Sequence, residues 1–456
     1  MKKNIVFITT DHQRADTIGM IQCDQEVTPN LNKLAQEGIN FLNTYTTCPL
    51  CVPARTSLAT GQFPTKTEVV INDLKNIPEK TRDLKTLHEY LYENSYDISH
   101  FGMQHITLIP SLEKRVSFKE FISDDDYEKV CLENNLPIFG TEEDRVKVKE
   151  LHGNIIEERN YTGSRVSYFE KEEKLFRDRF YLDNVLNYLK KEDFKNPVAL
   201  FVNIWAPHPP LTVLKEYMDK FPNPILPENL NKKANGEPLN RREGIAAQLA
   251  EDKDENHWKE VWSAYLGLTN YADKLIGEII NKFKEKNEYD NTIFVFTADH
   301  GDHLGQHKMF QKMEMYDQAI KVPFILKVPN LKNKTIEFNT SHLDILPTVL
   351  DLLDINLTRK VSGESLLKYF DKSKDRYVYS QYSGNQVAVG DIRRSVVGDG
   401  FKYIFDPRDK EELFSLEDDP LEMNNLAQDK NYFEKKEQLK EQLKNFLNKE
   451  NDWIKI

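Results

Sequence analysis

The chain has 456 residues, 39% hydrophobic and 30% charged, enough for a large core and more than one domain, and the composition excludes a disordered polymer. Its 74 acidic residues outnumber 62 basic ones, for a formal charge of -12. That argues against general nucleic-acid binding, which needs a basic footprint, but not against an anionic substrate in a cleft where a metal and a few cations reverse the local field. Four cysteines, at 23, 48, 51 and 131, are too sparse for a disulfide framework. The apolar run at residues 5–8 is too short for a signal peptide, and no segment approaches a membrane span. The expectation is a cytoplasmic protein with no membrane and no nucleic-acid partner.

In chain order, residues 5–8 (Ile-Val-Phe-Ile) read as a buried strand. Thr28, Pro29 and Gly38 mark the cap, first position and stop of a helix. Pro53 suits the first turn of a helix that starts at Cys51 and ends near Gly61. Residues 86–93 read as a helix, 98–101 and 198–204 as strands, about 258–286 as a long helix, and 293–296 as a strand leading to Asp299. Strands alternating with helices imply an α/β fold: a large mixed, mostly parallel sheet sandwiched by helices. Residues 106–168 and 212–256 are charged and irregular and read as surface insertions, a place where substrate choice is set on such folds. Strands across 394–405 and a polar helix over 433–449 predict a small C-terminal α+β subdomain. The expected division is a catalytic domain over 1–370 and a subdomain over 371–456.

Two segments echo each other. Ile5-Val6-Phe7-Ile8-Thr9-Thr10-Asp11-His12 and Ile293-Phe294-Val295-Phe296-Thr297-Ala298-Asp299-His300 are both apolar strands tipped by Asp-His. In open α/β sheets ligands sit beyond the carboxyl ends of strands, so tips on neighbouring strands would converge two carboxylates and two imidazoles on one point. One such tip would read as a turn; two predict a divalent-metal site of Asp11, His12, Asp299 and His300.

The stretch Cys51-Val52-Pro53-Ala54-Arg55 carries the other signal. Cys48-Pro49-Leu50-Cys51 matches a redox or half-zinc motif, but no second ligand pair is close in sequence and nothing else suggests a thioredoxin-like domain. An inert thiol is the plain alternative. Against both stands the longer run from Cys51 to Gly61. It puts residue 51 at a helix N-terminus, where free N–H groups favour an anion, and Arg55 one turn later.

The run resembles the maturation signature C-x-[P/A]-[S/A]-R of type I sulfatases of the alkaline phosphatase superfamily. Further motifs follow in order: Pro207-His208-Pro209-Pro210, Asp299-His300-Gly301…Gly305-Gln306-His307, Tyr316-Asp317…Val322-Pro323, and Glu412-Leu413-Phe414-Ser415-Leu416…Asp419-Pro420…Glu422…Asn425-Leu426. The resemblance spans nearly the whole chain. It implies formylglycine made from Cys51 by a maturation enzyme, one divalent cation, and hydrolysis of a sulfate ester of a small molecule or saccharide. Ca²⁺ is the first expectation for the cation; the imidazoles of His12 and His300 bring Mn²⁺ and Zn²⁺ beside Mg²⁺. It also implies catalytic roles for Arg55, for Lys312 on the substrate oxygens, for His208 as the acid on the leaving oxygen and for His105 as a proton acceptor, with Asn72 as a substrate contact. His303 and His307 read as structural. A homo-oligomer is compatible with the sequence. Two departures point to a branch near phosphonate monoester hydrolases: His12 stands where many members carry an acidic ligand, and Met103 replaces the Lys of a G-K-x-H motif. Hydrolysis of phosphonate or phosphate esters is therefore the first alternative, and a binding protein with an unmodified Cys51 the second.

Overall fold

The computed structural model describes residues 2–370, 376–386 and 389–456. Its main elements, in chain order, are β1 (Asn4–Thr10), α1 (Pro29–Glu37), β2 (Ile39–Tyr45), α2 (Cys51–Thr60), α3 (Leu87–Glu93), β3 (Asp97–Gly102), β4 (Glu120–Ile122), β5 (Arg145–His152), β6 (Ile155–Thr162), α4 (Arg177–Lys191), β7 (Val198–Ile204), α5 (Glu255–Glu285), β8 (Thr292–Ala298), β9 (Lys321–Lys327), β10 (Lys334–Ile336) and α6 (Ile345–Leu352). The C-terminal part follows as β11 (Val378–Tyr382), β12 (Arg393–Gly398), β13 (Phe401–Phe405), β14 (Glu412–Ser415) and α7 (Phe433–Glu450). Local chemistry explains the helix boundaries. Pro29 opens α1, Thr86 and Glu89 form a capping box on α3, and Asp254 caps α5 through the His257 N–H. Gly61 ends α2 at φ 67°, in the left-handed region that a glycine adopts without cost.

Among the described residues the central sheet has nine strands in the order β10-β2-β9-β8-β1-β7-β3-β4, with Thr340–Ser341 added beside β2. β8, β1, β7, β3 and β4 are parallel, while β9 runs antiparallel to both its neighbours. Alternation along each strand feeds two cores. Ile5, Phe7, Ile98, Ile293 and Val295 meet α2, α3 and α6 through Leu58, Leu87, Leu91, Leu346 and Val349. Val6, Ile8, Leu200, Phe294 and Phe296 meet α1, α4 and α5 through Leu31, Leu182, Val185, Leu268 and Leu275. This is the predicted helix-covered, mostly parallel sheet.

Residues 106–168 are more ordered than their composition suggests. They hold a helix over Asp124–Asn134 and the β5–β6 hairpin. Charge hid the strand pattern because an inward position of β5 is itself charged: Glu150 is buried and accepts a 2.7 Å hydrogen bond from the Tyr161 hydroxyl.

The C-terminal part is a four-stranded antiparallel sheet, β11-β12-β13-β14, covered by α7 through Leu439, Leu443, Phe446 and Leu447. Buried polar contacts fasten it to the main sheet. The Ser380 hydroxyl donates to the Thr46 carbonyl (2.6 Å) and the Gln381 N–H to the Thr47 carbonyl (2.8 Å), tying β11 to the loop that precedes Cys51. The two C-terminal motifs also meet. The Tyr316 hydroxyl donates to Glu412 (2.7 Å), the Asp317 N–H donates to Glu422 (2.7 Å), and the fully buried Lys402 pairs with both Asp317 and Glu422. Replacing one member of a buried ion cluster leaves the others uncompensated, at about 3–5 kcal/mol. Lys402→Met is therefore expected to lower the denaturant midpoint by an amount equivalent to about that loss, measured by far-UV circular dichroism against urea.

Candidate active site

Strand register brings the two Asp-His tips together. Thr10 pairs with Ala298 on one side and with Ile204 on the other, so Asp11, Asp299 and Trp205 leave three adjacent parallel strands at one level. β3 ends beside them, where Gly102 (φ 102°) lies against Asn203; a Cβ there would fall 1.8 Å from the Asn203 carbonyl oxygen. Gly301 serves close approach, since a Cβ would fall 2.1 Å from the Gln318 oxygen. At the first tip the chain turns at His12, at φ 63°, an uncommon conformation for a residue with a side chain. It is held by its own N–H to Asp299 Oδ1 (3.3 Å) and by the Tyr265 hydroxyl donating to its carbonyl (2.9 Å).

Asp11, His12, Asp299 and His300 are all fully buried. His12 Nδ1 lies 2.7 Å from Asp302 Oδ2 and His300 Nδ1 lies 3.0 Å from the Gly301 carbonyl. Those acceptors take the Nδ1 protons and leave each Nε2 lone pair facing inward, the arrangement of imidazoles oriented to coordinate a cation. One donor atom from each of Asp11, His12, His300 and Cys51 lies within 4.8 Å of the others. Oxygen and imidazole donors on this scale fit a divalent cation. Asp299 stands beside this group with its carboxylate engaged: Oδ1 accepts the His12 and His300 N–H groups, and Oδ2 accepts Arg55 Nε at 2.9 Å.

Cys51 is the first residue of α2, with a side chain buried among these groups. Its Sγ lies 2.9 Å from Lys312 Nζ, 3.3 Å from His300 Nε2 and 3.8 Å from Asp11 Oδ1. Arg55, one turn on, bridges both carboxylates, with NH2 3.1 Å from Asp11 Oδ2. Lys312 Nζ also donates to His12 Nε2 at 2.7 Å. The His208 ring packs edge-on against that of His12, centroids 4.4 Å apart, and its Nδ1 contacts the Pro209 carbonyl. Asn72 Oδ1 accepts the Val52 N–H at 3.1 Å and so caps the helix that carries Cys51. His105 lies further off: it lines a small cavity with Arg55, Thr9, His88 and Asn203, and its Nδ1 has no partner among the described residues. Met103 is fully buried, and its carbonyl accepts from Asn203.

The electrostatics follow from burial. Desolvation, with Asp299 adjacent, pushes the Asp11 carboxyl up to about 8. Burial and Asp11 push the Cys51 thiol up to about 12, so the encoded sulfur is protonated at neutral pH. Burial, then Lys312, drives His208 well below its ordinary range.

Several contributors had no sequence signal. Asp302 lies inside the quoted Asp299–His307 motif at a position left open. Tyr265 is one of many apolar-face residues of α5. Asn385, in the C-terminal part, bonds Asn72 Nδ2 through its Oδ1 (3.0 Å) and reaches Met313 Sδ, next to Lys312, at 3.3 Å.

A buried cluster of carboxylate and imidazole donors at the strand tips, with a cysteine-bearing helix aimed into it, could hold a cation and act on a charged ester. The profile of the family described as Sulfatase matches residues 3–355, and that of N-sulphoglucosamine sulphohydrolase, C-terminal, matches residues 305–449. The chain belongs to the sulfatase family and is a sulfuric ester hydrolase. It is 27% identical to an arylsulfatase of Clostridium perfringens over 95% of this chain and 92% of that protein, and 26% identical to a choline-sulfatase of Rhizobium meliloti over 94% and 83%. Its fold is shared with the phosphonate monoester hydrolase of Agrobacterium radiobacter, at a TM-score of 0.79 and 19% identity over 98% of this chain and 96% of that one.

A cation entering this centre must displace the proton that Asp11 retains below pH about 8. Apparent affinity should therefore rise by up to about tenfold per pH unit on approaching pH 8 and level off above it. Calorimetric titration of Mn²⁺ or Ca²⁺ across pH 6–9 measures this, with the slope lost in Asp11→Asn.

Proposed function

We propose that the protein hydrolyses sulfate esters by a nucleophile made from Cys51, its formylglycine, with one divalent cation held by Asp11, His12 and His300, and Asp299 beside them. The observation that carries this reading is the setting of Cys51: at a helix N-terminus, 2.9 Å from Lys312, and as a thiol too basic to react as encoded. The hydrated aldehyde would supply an oxygen nucleophile, and the bound cation would supply charge to acidify it and to neutralise the ester. Ca²⁺ is the first choice, with Mg²⁺, Mn²⁺ and Zn²⁺ as alternatives. A formylglycine-generating enzyme is the implied maturation partner.

The chain's own residues then divide the work. Arg55 holds Asp11 and Asp299 in place beside residue 51. Lys312, already in contact with residue 51, neutralises the equatorial oxygens of the ester as the S–O bond to the leaving group breaks. His208 protonates the leaving oxygen. Its depressed pKa requires the incoming anion to raise it, and an anion next to Lys312 does so by cancelling part of that charge. His105, further from residue 51, takes up the proton when sulfate is released. Asn72 fixes the start of α2 and is the proposed substrate contact. We place the domain boundary at residue 370, and the substrate among small or saccharide sulfate esters. The four free cysteines suit a cytoplasmic setting.

The uncharged, buried Met103 favours a second reading, phosphonate or phosphate ester hydrolysis by the same groups. Protein from a host with the maturation system is expected to lose the Cys51 sulfur by mass spectrometry, to react with a hydrazide probe at residue 51, and to turn over 4-nitrophenyl sulfate. A large preference for a phenyl phosphonate monoester would transfer the assignment to the second reading, and an intact thiol in protein that remains active would exclude the nucleophile. His208→Ala should cost about 10²–10⁴ in kcat for an alkyl sulfate, and much less for 4-nitrophenyl sulfate, whose leaving group needs no proton. Equal losses on both would remove His208 as the acid.

A further inference from the structure

Beside the charged centre lies a pocket of different character. It has a volume of about 350 Å³ and is walled by Leu136, Phe139, Tyr168, Phe169, Trp205 and Pro210. His208 belongs to both: its ring is 4.4 Å from that of His12 and 4.1 Å from that of Trp205, and the Trp205 ring lies 6.0 Å from that of Phe139. A run of aromatic faces therefore leads outward from the centre. Phe139 and Tyr168 are 40% and 46% exposed, open to an incoming ligand. The wall is braced from behind. The Arg177 guanidinium stacks on Trp205 (4.3 Å) and Phe139 (5.1 Å), while Asp178 accepts the Trp205 and Ala206 N–H groups at 2.7 and 3.0 Å.

Most polar side chains deep in this wall already have protein partners, while the charged Glu170 and Lys171 stand at its exposed rim. Arg165 pairs with Glu143 and Asp144, Arg177 with Asp124 and the Ile138 carbonyl, Ser167 with Thr212, and the Thr141 hydroxyl with Asp144. Past that rim, a hydroxyl-rich ring would lose water without gaining equivalent hydrogen bonds, whereas a flat apolar ring would lose nothing and gain aromatic contact.

We propose that this pocket is the leaving-group subsite, that it takes an aromatic ring, and that Trp205 and Phe139 are the residues that select aryl over alkyl esters. The assignment rests on the ester-hydrolase reading of the adjoining centre and adds the substrate class to it.

The test compares kcat/KM for 2-naphthyl sulfate and hexyl sulfate on matured wild type, Trp205→Leu and Phe139→Ala. Because leaving-group acidity is the same for every enzyme, the aryl-over-alkyl ratio isolates the pocket and is insensitive to a uniform loss of folded protein. Each variant is expected to lower that ratio at least tenfold, mainly through KM for the aryl ester. An unchanged ratio in both variants overturns the proposal, as does a sulfated saccharide that outcompetes the aryl ester and is unaffected by either change. If the centre prefers phosphonates, the same ratio is read with naphthyl and hexyl phosphonate monoesters. Calorimetric binding of 2-naphthol to the unmatured full chain separates the two readings. Binding to wild type that both variants lose, without turnover of any ester by matured protein, upholds the pocket and sinks the Cys51 reading of the adjoining centre. Turnover with no naphthol binding does the reverse.

Discussion

The arrangement of this protein depends on burying two carboxylates, Asp11 and Asp299, at the ends of adjacent strands. Parallel register forces them to one level, and neither reaches solvent. Two such charges would repel and be poorly solvated, which is why Asp11 holds its proton so firmly and why the surroundings must supply positive potential. Arg55 does this most directly, with one nitrogen on each carboxylate. Since Arg55 is one turn along α2 from Cys51, the requirement that it bridge the pair also sets where residue 51 lies. The position of residue 51 is thus a consequence of charge compensation in the sheet, transmitted through one turn of helix.

The same constraint explains why distant segments matter. The loop before Cys51 is pinned by β11, the start of α2 is capped by Asn72, and Asn72 is held in turn by Asn385. Lys312 is followed within a few residues by Tyr316 and Asp317, which are locked to Glu412, Glu422 and Lys402. The C-terminal sheet therefore braces both cationic sides of the centre. A buried polar network of this kind contributes little net stability but selects one arrangement, because each alternative leaves a charge unpaired.

What could be read from the sequence tracks how local the cause was. The paired Asp-His tips, the helix at Cys51 and the covered sheet came from strand periodicity, capping residues and short motifs, all within a few residues of the groups concerned. The C-terminal signature was visible as a pattern, but its purpose, contact with residues 316–317, is a long-range ion cluster that no spacing encodes. Asp302 and Tyr265 escaped for the same reason: their work is to fix the ring and backbone of His12 from elsewhere in the chain. The β5–β6 hairpin was obscured because inward-facing Glu150 broke the apolar alternation. The need for glycine at 301 escaped too, because the restriction is space beside Gln318, a neighbour not apparent from local sequence.

Charge accounting at the centre indicates why the substitution at residue 103 is tolerable. Arg55 is committed to Asp11 and Asp299, and its charge is largely spent on them. Lys312 hydrogen-bonds, among the described residues, to Cys51 and His12, neither of them anionic in this state, so under the proposal its ammonium faces the ester. In the proposed loaded centre a divalent cation would displace the Asp11 proton, and its charge with those of Arg55 and Lys312 would exceed that of Asp11 and Asp299, without help from residue 103. A singly charged ester oxyanion needs no further cation there. Under the proposed mechanism a more highly charged group would gain more from a second lysine than from buried Met103, and on that ground the proposal favours esters that carry one negative charge, whether the central atom is sulfur or an alkylated phosphorus.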